Sequence, residues 1–312
     1  MERIEKILRV ALRIADSHAI CCLTVMKNVI EKALAVVAFI SILTIDTIAC
    51  NGTVDSLDFK ACRWEIQTPH DGIVLKTVGC TLYGRPQQLA VLEVDLNKYK
   101  VRFSQPSVRE TTSGQAREMR AVAAVNAGFF LIPDVAPENF LKVGGKIISK
   151  KTIRTLLTNG AVVSDGLKPR IVRWNDEDSL TIVKSCSDVL VSNGLLVYES
   201  ELCPIPWPGS YAHKLHPRTA VGITEDDKLL LVAVDGRFEG KAHGMTMAEV
   251  GLLMKFLGAK YALNLDGGGS TTLWVKGVGV VNYPCENKIW DHGGERKVGS
   301  ILYLQSFQME SH

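Results

Sequence analysis

The chain has 312 residues, 46% hydrophobic and 22% charged, with 36 Lys and Arg against 33 Asp and Glu for a formal charge of +3. That balance excludes a disordered polypeptide, which needs fewer apolar residues and a larger charge excess. It equally excludes a surface dedicated to nucleic acid, so no nucleic-acid partner is expected.

In chain order, the first feature is an apolar run from Ala33 to Ile45. It is too short for a membrane-crossing helix, which needs about 20 residues. It suits the apolar region of an export signal, where about 7–15 residues are usual. Lys27 and Lys32 precede it, Met26 offers a start alternative to Met1, and Ala49-Cys50 matches a small residue before a lipid-accepting Cys. Residues 1–49 are therefore expected to be an over-extended N-terminus plus signal peptide, with cleavage before Cys50. Lipidation at Cys50 would make this an exported, membrane-anchored lipoprotein of the bacterial cell envelope, in the periplasm or outer membrane. A buried core helix is the alternative for the same run. Residues 50–84 read as a linker or extension, and 85–305 as the main domain.

The apolar alternation predicts strands over Gln88–Asp95 and Lys98–Phe103, then a short helix over Ser113–Arg120 and a strand from Ala121 to Asn126. Further short strands are expected between turn signals at Gly144-Gly145, Asn159-Gly160, Asp165-Gly166, Asn175-Asp176 and Asn193-Gly194. A Pro-rich loop spans Cys203 to Gly209. One helix is strongly signalled at about 246–257. Thr246 and Glu249 form a capping box, Met247, Val250, Leu253, Met254 and Leu257 share one face, and Gly258 supplies the stop. The class is α+β, a single compact domain of mostly short strands with a few helices.

Cys62, Cys80, Cys186, Cys203 and Cys285 are scattered without the paired C-x-x-C of a zinc site. They allow at most two disulfides, or free thiols. His213, His216, His243 and His292 show no metal-ligand spacing, so no metal or other cofactor is expected, although a divalent ion stays open.

Four strand ends carry polar chemistry: Asn126-Ala-Gly-Phe-Phe130, His216-Pro-Arg-Thr219, Val234-Asp-Gly-Arg237 and Asn264-Leu-Asp-Gly-Gly-Gly-Ser-Thr271. An isolated Asp-Gly is usually a hairpin turn. Two of them flanking one capped helix would reach the same sheet edge, which points to Asp235 and Asp266 as a functional pair. Asp266-Gly-Gly-Gly-Ser270 lacks the Gly-Lys-Ser/Thr of a phosphate loop. Its glycines instead allow a ligand to approach backbone, with Ser270 or Thr271 donating. Arg218 and Arg296 are candidates for an anion, because a guanidinium fork matches phosphate, although a surface ion pair is the ordinary role of a lone Arg.

Together with Glu295-Arg296, these segments resemble, in order from about residue 85 to 305, the phosphodiester glycosidase family. That family includes the lysosomal uncovering enzyme and many bacterial exported proteins. The resemblance implies a compact α+β domain that cleaves the glycosidic bond of a sugar-1-phosphodiester or related envelope or host glycan. It implies catalytic roles for Asp235, Asp266 and Arg218, with Asn126, Thr219, Gly268, Ser270, Thr271, Glu295 and Arg296 at the substrate. Two departures stand out. Ser192-Asn-Gly194 replaces a Gly-Gly-Pro-like turn, and Glu295 lacks a counterpart in the lysosomal enzyme, which makes Arg296 the better candidate of that pair. The expected partners are a carbohydrate or sugar-phosphate substrate and a membrane reached through Cys50. Competing readings are a glycan-binding envelope lipoprotein with Trp207 and Trp290 as platforms, and a metal-dependent phosphodiesterase.

Overall fold

The computed structural model describes residues 56–307 apart from 133–134, 151–157, 167 and 206–209. The apolar run, Met26, Cys50 and Trp207 lie outside the described residues.

The elements follow in chain order. A short helix α1 (Ser56–Ala61) precedes strands β1 (Glu65–His70), β2 (Ile73–Leu82), β3 (Arg85–Asp95) and β4 (Tyr99–Ser104). Helix α2 (Thr112–Glu118) leads to β5 (Ala123–Asn126), β6 (Leu141–Val143), β7 (Lys146–Ser149), β8 (Thr158–Ser164) and β9 (Arg170–Arg173). Helix α3 (Asp176–Ser185) is followed by β10 (Asp188–Asn193), β11 (Leu195–Tyr198), β12 (Glu201–Leu202) and the one-turn α4 (Ser210–His213). Then come β13 (Arg218–Thr224), β14 (Lys228–Val234), helix α5 (Met247–Phe256), β15 (Ala259–Asn264), a 3-10 turn (Gly268–Ser270), β16 (Leu273–Val275), β17 (Gly279–Val280) and β18 (Ile301–Ser306).

These strands form three antiparallel sheets, ordered β1-β2-β3-β14-β13-β15-β11-β12, β7-β6-β10-β8-β9 and β17-β16-β5-β18-β4. The central strands of the large sheet do not alternate. Every residue of β13 is buried, as is all of β14 beyond Lys228. Both faces are covered, which is why these strands read as unbroken apolar runs. On one face, α5 lies against β11, β13 and β15 and buries Met247, Val250, Leu253 and Met254 completely. Elsewhere a single core joins Leu92, Val221, Leu231 and Leu263 of the large sheet to Phe103 and Val125 of one small sheet and Val162 and Leu190 of the other.

Helix α5 forms as expected. The Thr246 hydroxyl accepts from the Glu249 amide, the Glu249 carboxylate accepts from the Thr246 amide, and Glu249 also pairs with Arg85. Leu257 is the half-buried cap residue, and Gly258 takes the left-handed φ of +85° that stops the helix.

Three segments differ from expectation. Residues 65–82, placed in a linker or extension, form a hairpin whose β2 pairs with β3 from Ile73↔Val94 to Leu82↔Arg85. Asn175-Asp176 opens α3 and is not a turn between strands, because the residues that favour turns also cap helices. Asn159-Gly160 lies inside β8, where the Asn159 side chain accepts from the Gly194 and Leu195 amides. None of the five cysteines here forms a disulfide, although the Cys62 and Cys80 side chains are in contact. No described helix is long and apolar enough to cross a membrane.

Candidate active site

Antiparallel pairing places three chain segments at one end of the large sheet. Strand β13 begins there with Arg218 opposite Val234, and β14 and β15 both end there. The β14-α5-β15 crossover skips one strand, so Asp235 and Asp266 emerge on either side of the entrance to β13. Asn126 ties this edge to the neighbouring sheet. Its amide donates to the Asp266 carbonyl at 2.6 Å, and its oxygen accepts from the Thr219 hydroxyl at 2.7 Å and the Thr272 amide at 3.1 Å.

The two carboxyl groups differ. Asp235 is 1% exposed. Its Oδ1 accepts from Asn282 Nδ2 at 2.8 Å and from the Tyr283 amide at 2.9 Å, while buried Oδ2 has no partner among the described residues. Burial pushes its pKa up to about 7 against the pull of those two donors. Asp266 is half-buried and receives the Gly267 amide at 2.9 Å. Burial raises it to about 6, opposed by Ser270, Gly267 and the charge of Arg296, with Glu138 adding to the rise. A partly accessible carboxyl group poised between protonation states is the group of this pair suited to meet a substrate.

Two guanidinium groups stand over the glycine turn. The nearest atom to a β-carbon built on Gly268 would be Arg237 Nη2 at 2.9 Å, and Gly268 has φ +65°. A β-carbon on Gly269 would collide with the Arg296 guanidinium and the Glu286 carboxylate, which are themselves paired at 2.7 Å. The glycines are therefore required by what lies above them. Exposed Arg237 holds a left-handed backbone, φ +67°, directly after Asp235-Gly236. Its Nη2 lies 3.5 Å from His216 Nδ1. An Arg can only donate, so His216 Nδ1 accepts and its other nitrogen carries the proton. Burial, then the charges of Arg218, Arg237 and Lys214, depress His216 to about 4, so it is neutral at pH 7.

Several expected roles change. Arg218 is fully buried, and its Nη1 has no hydrogen-bond partner among the described residues. Its Nε donates to Met245 O at 2.9 Å, and Nη2 donates to Tyr211 O at 2.6 Å and Lys214 O at 2.9 Å. The guanidinium also sits 4.8 Å above the Tyr211 ring. It braces the loop before β13. Glu295 is likewise committed, accepting from the Ser113 amide at 2.9 Å and the Ser113 hydroxyl at 2.6 Å at the start of α2. Asn126 and Thr219 are 0% exposed and bonded to each other, so they position the edge and do not reach out from it. Gly268, Ser270 and Arg296 are gathered around Asp266. Thr271 is buried behind them and its carbonyl accepts from Asn282. Trp290 is no free platform, since it stacks on Tyr283 at 4.0 Å and meets the edge of Phe238 at 4.9 Å. Among the described residues no group of three or more His, Cys, Asp or Glu side chains is placed to hold a metal.

A family model described as phosphodiester glycosidase matches residues 119–305, a span that contains every residue of this edge from Asn126 to Arg296. The chain belongs to the phosphodiester glycosidase family. Curated relatives include the N-acetylglucosamine-1-phosphodiester alpha-N-acetylglucosaminidase of Mus musculus, 31% identical over 83 residues, and that of Bos taurus, 24% identical over 196 residues. These matches cover 26% and 58% of this chain but only 16% and 37% of the relatives. Among solved structures, a hypothetical protein from Synechocystis aligns with TM-score 0.60 at 15% identity, over 78% of this chain and 63% of that one. The zebrafish N-acetylglucosamine-1-phosphodiester alpha-N-acetylglucosaminidase catalytic domain aligns with TM-score 0.59 at 20% identity, over 78% and 88%. At these identities the structural likeness speaks to the fold.

As a member of the phosphodiester glycosidase family, this chain has two candidate site residues that strand patterns did not single out. Arg237 was visible only as the residue after an Asp-Gly; its distance to Gly268 is a tertiary fact. Asn282, which holds Asp235, Thr271 and the Leu273 amide together, follows a loop with no motif of its own.

Proposed function

We propose that this phosphodiester glycosidase hydrolyses the C–O bond between a sugar's anomeric carbon and a phosphodiester. The single observation that carries this reading is the pair of guanidinium groups, Arg237 and Arg296, standing over Gly268 and Gly269 beside the Asp266 carboxyl group. In this reading the leaving phosphate lies against the two arginines, which neutralise the charge that collects on it as the bond breaks. A phosphate monoester is already a weak base, so little acid assistance is needed. The Asp266 carboxylate faces the positive charge that develops at the anomeric carbon, as glycosidase carboxylates do. Asp235, enclosed behind the edge, orients Asn282 and the Tyr283 amide. Neutral His216 keeps Arg237 oriented without adding a second positive charge.

Export and lipid attachment at Cys50 belong to the same proposal. They are supported by the apolar run, its preceding lysines and Ala49-Cys50, and a labelled fatty acid appearing on wild type but not on Cys50→Ala would test them. The activity is tested by incubating the full chain with a sugar-1-phosphodiester in 18O-labelled water. Label in the released sugar and not in the phosphate is expected; label in the phosphate would mean P–O cleavage and sink the reading.

A further inference from the structure

A second concave surface borders this site. A cleft of about 500 Å³ lies among β1, β2, β17 and the segment carrying Tyr283 and His292. Two of its lining residues are bonded directly to Asp235. The Gln88 carbonyl accepts from the Asp235 amide at 2.9 Å, and the Tyr283 amide donates to Asp235 Oδ1 at 2.9 Å. The cleft and the buried carboxyl group thus share a wall.

The lining is polar and close to charge-balanced. Glu65 and Gln67 share one face of β1 opposite Thr77 and Leu75, and Gln88 pairs with Gly79. Residues opposite each other in an antiparallel pair point to the same side. Arg63 offsets the charge of Glu65, so the cleft lacks the excess of one sign that would select an anion. The side chains of Gln67, Thr77 and Gln88 make no hydrogen bond among the described residues. Side-chain amides both donate and accept, which suits hydroxyl groups that do the same. His292 Nδ1 lies 2.7 Å from the Asn282 carbonyl and must donate to it, which leaves its other nitrogen as an acceptor when the ring is neutral. Tyr283, its ring stacked on Trp290 at 4.0 Å and 4.4 Å from the His292 ring, holds this wall rigid, and Val280 and Val281 add aliphatic surface. Paired donors and acceptors beside an apolar wall, with little net charge, match a polyhydroxylated and uncharged ligand.

We infer that this cleft binds neutral sugar residues of the substrate, adjacent to the bond-breaking site. The inference rests on the proposed activity only for the identity of the whole substrate; sugar binding in the cleft does not depend on turnover.

The test titrates the full-length chain with N,N′-diacetylchitobiose, maltotriose and inorganic phosphate, following saturation-transfer NMR and calorimetry. At least one neutral sugar is expected to bind saturably. Gln67→Ala combined with Gln88→Ala should weaken that binding at least fivefold, while Arg296→Ala leaves it unchanged and weakens phosphate instead. Thermal unfolding checks that the double variant is folded, and Gln67→Ala alone, at an exposed position, serves if it is not. On a sugar-1-phosphodiester extended by further sugars, the variant's loss should fall on KM and not on kcat. The inference is overturned if neither sugar binds, or if binding ignores Gln67 and Gln88. Sugar binding that depends on both residues, without hydrolysis of any sugar-1-phosphodiester, would overturn the proposed activity and leave the cleft standing. Hydrolysis with an unchanged KM and no sugar binding would do the reverse.

Discussion

The Arg237 guanidinium stands over Gly268, with Nη2 2.9 Å from the place a β-carbon would take. In the proposed reaction, Arg237 and Arg296 are the groups that would distinguish a phosphodiester from an uncharged glycoside. Arg237→Ala and Arg296→Ala are each expected to lower kcat/KM on a sugar-1-phosphodiester by about 10²-fold, the scale of one lost charge-assisted contact in a transition state. An uncharged aryl glycoside should lose less than about threefold, as no phosphate is present to be held. Equal losses on both substrates would show that the arginines serve only the fold. Gly268→Ala should reproduce the Arg237→Ala pattern, since the added carbon displaces the guanidinium.

Asp266→Asn removes the accessible carboxylate yet keeps an oxygen for the Gly267 amide. Hydrolysis is expected to fall by about 10²–10⁴-fold with the folded state intact. In wild type, kcat/KM should rise with pH and level off above about 6, because burial holds the Asp266 pKa there and the ionised form is the active one. A folded Asn variant of undiminished activity, or a flat profile between pH 4 and 7, would remove Asp266 from the chemistry.

Arg218→Met is expected to cost stability before it costs recognition. Three backbone carbonyls, of Met245, Tyr211 and Lys214, lose their guanidinium partner. Met245 O keeps the His216 amide, while leaving the other two acceptors unsatisfied costs about 1–3 kcal/mol each, partly offset by no longer burying a charge, for a net loss of about 3 kcal/mol. That corresponds to a drop of about 6–12 °C in Tm for a domain of this size. A variant with wild-type Tm and a selective defect on phosphodiesters would restore the direct phosphate contact expected from sequence.

Asp235→Asn should change the pH dependence of stability. The folded pKa of Asp235, about 7, lies above the ordinary aspartate value of 3.8, so the fold favours the protonated form. Its contribution is complete below about pH 4 and is lost as pH rises through about 7, worth about 4 kcal/mol across that window. Asn retains an oxygen for Asn282 and Tyr283 and cannot ionise. Its Tm should therefore exceed that of wild type at pH 8, with the gap closing toward pH 4. Parallel Tm curves for the two proteins would contradict this account.

Much of the fold can be read in the chain because its signals are local. The Thr246–Glu249 capping box and the apolar face of α5 depend on residues three and four apart, and they appear as expected. The buried runs of β13 and β14 are equally visible, since strands covered on both faces cannot alternate. The β1–β2 hairpin was less visible because every residue of β1 is exposed or half-exposed. Its partner β3 is what makes it part of the sheet. Helix α3 was hidden for a different reason: Asn and Asp signal a turn and a helix start alike.

By itself, the sequence determined the family, the α+β class and the residue types at the sheet edge, through Asp-Gly and Gly-Gly-Gly segments that follow apolar strands. Tertiary structure alone decided which arginines stand at the glycine turn. Arg218 and Arg237 each lie beside a strand end, and no local pattern separates them. Three carbonyls from Tyr211, Lys214 and Met245 converge on Arg218 and seal it inside the protein, whereas the left-handed turn at Arg237 directs its guanidinium over Gly268. Burial, which sets both the role of an arginine and the pKa of Asp235 and Asp266, is a property of what the rest of the chain brings alongside.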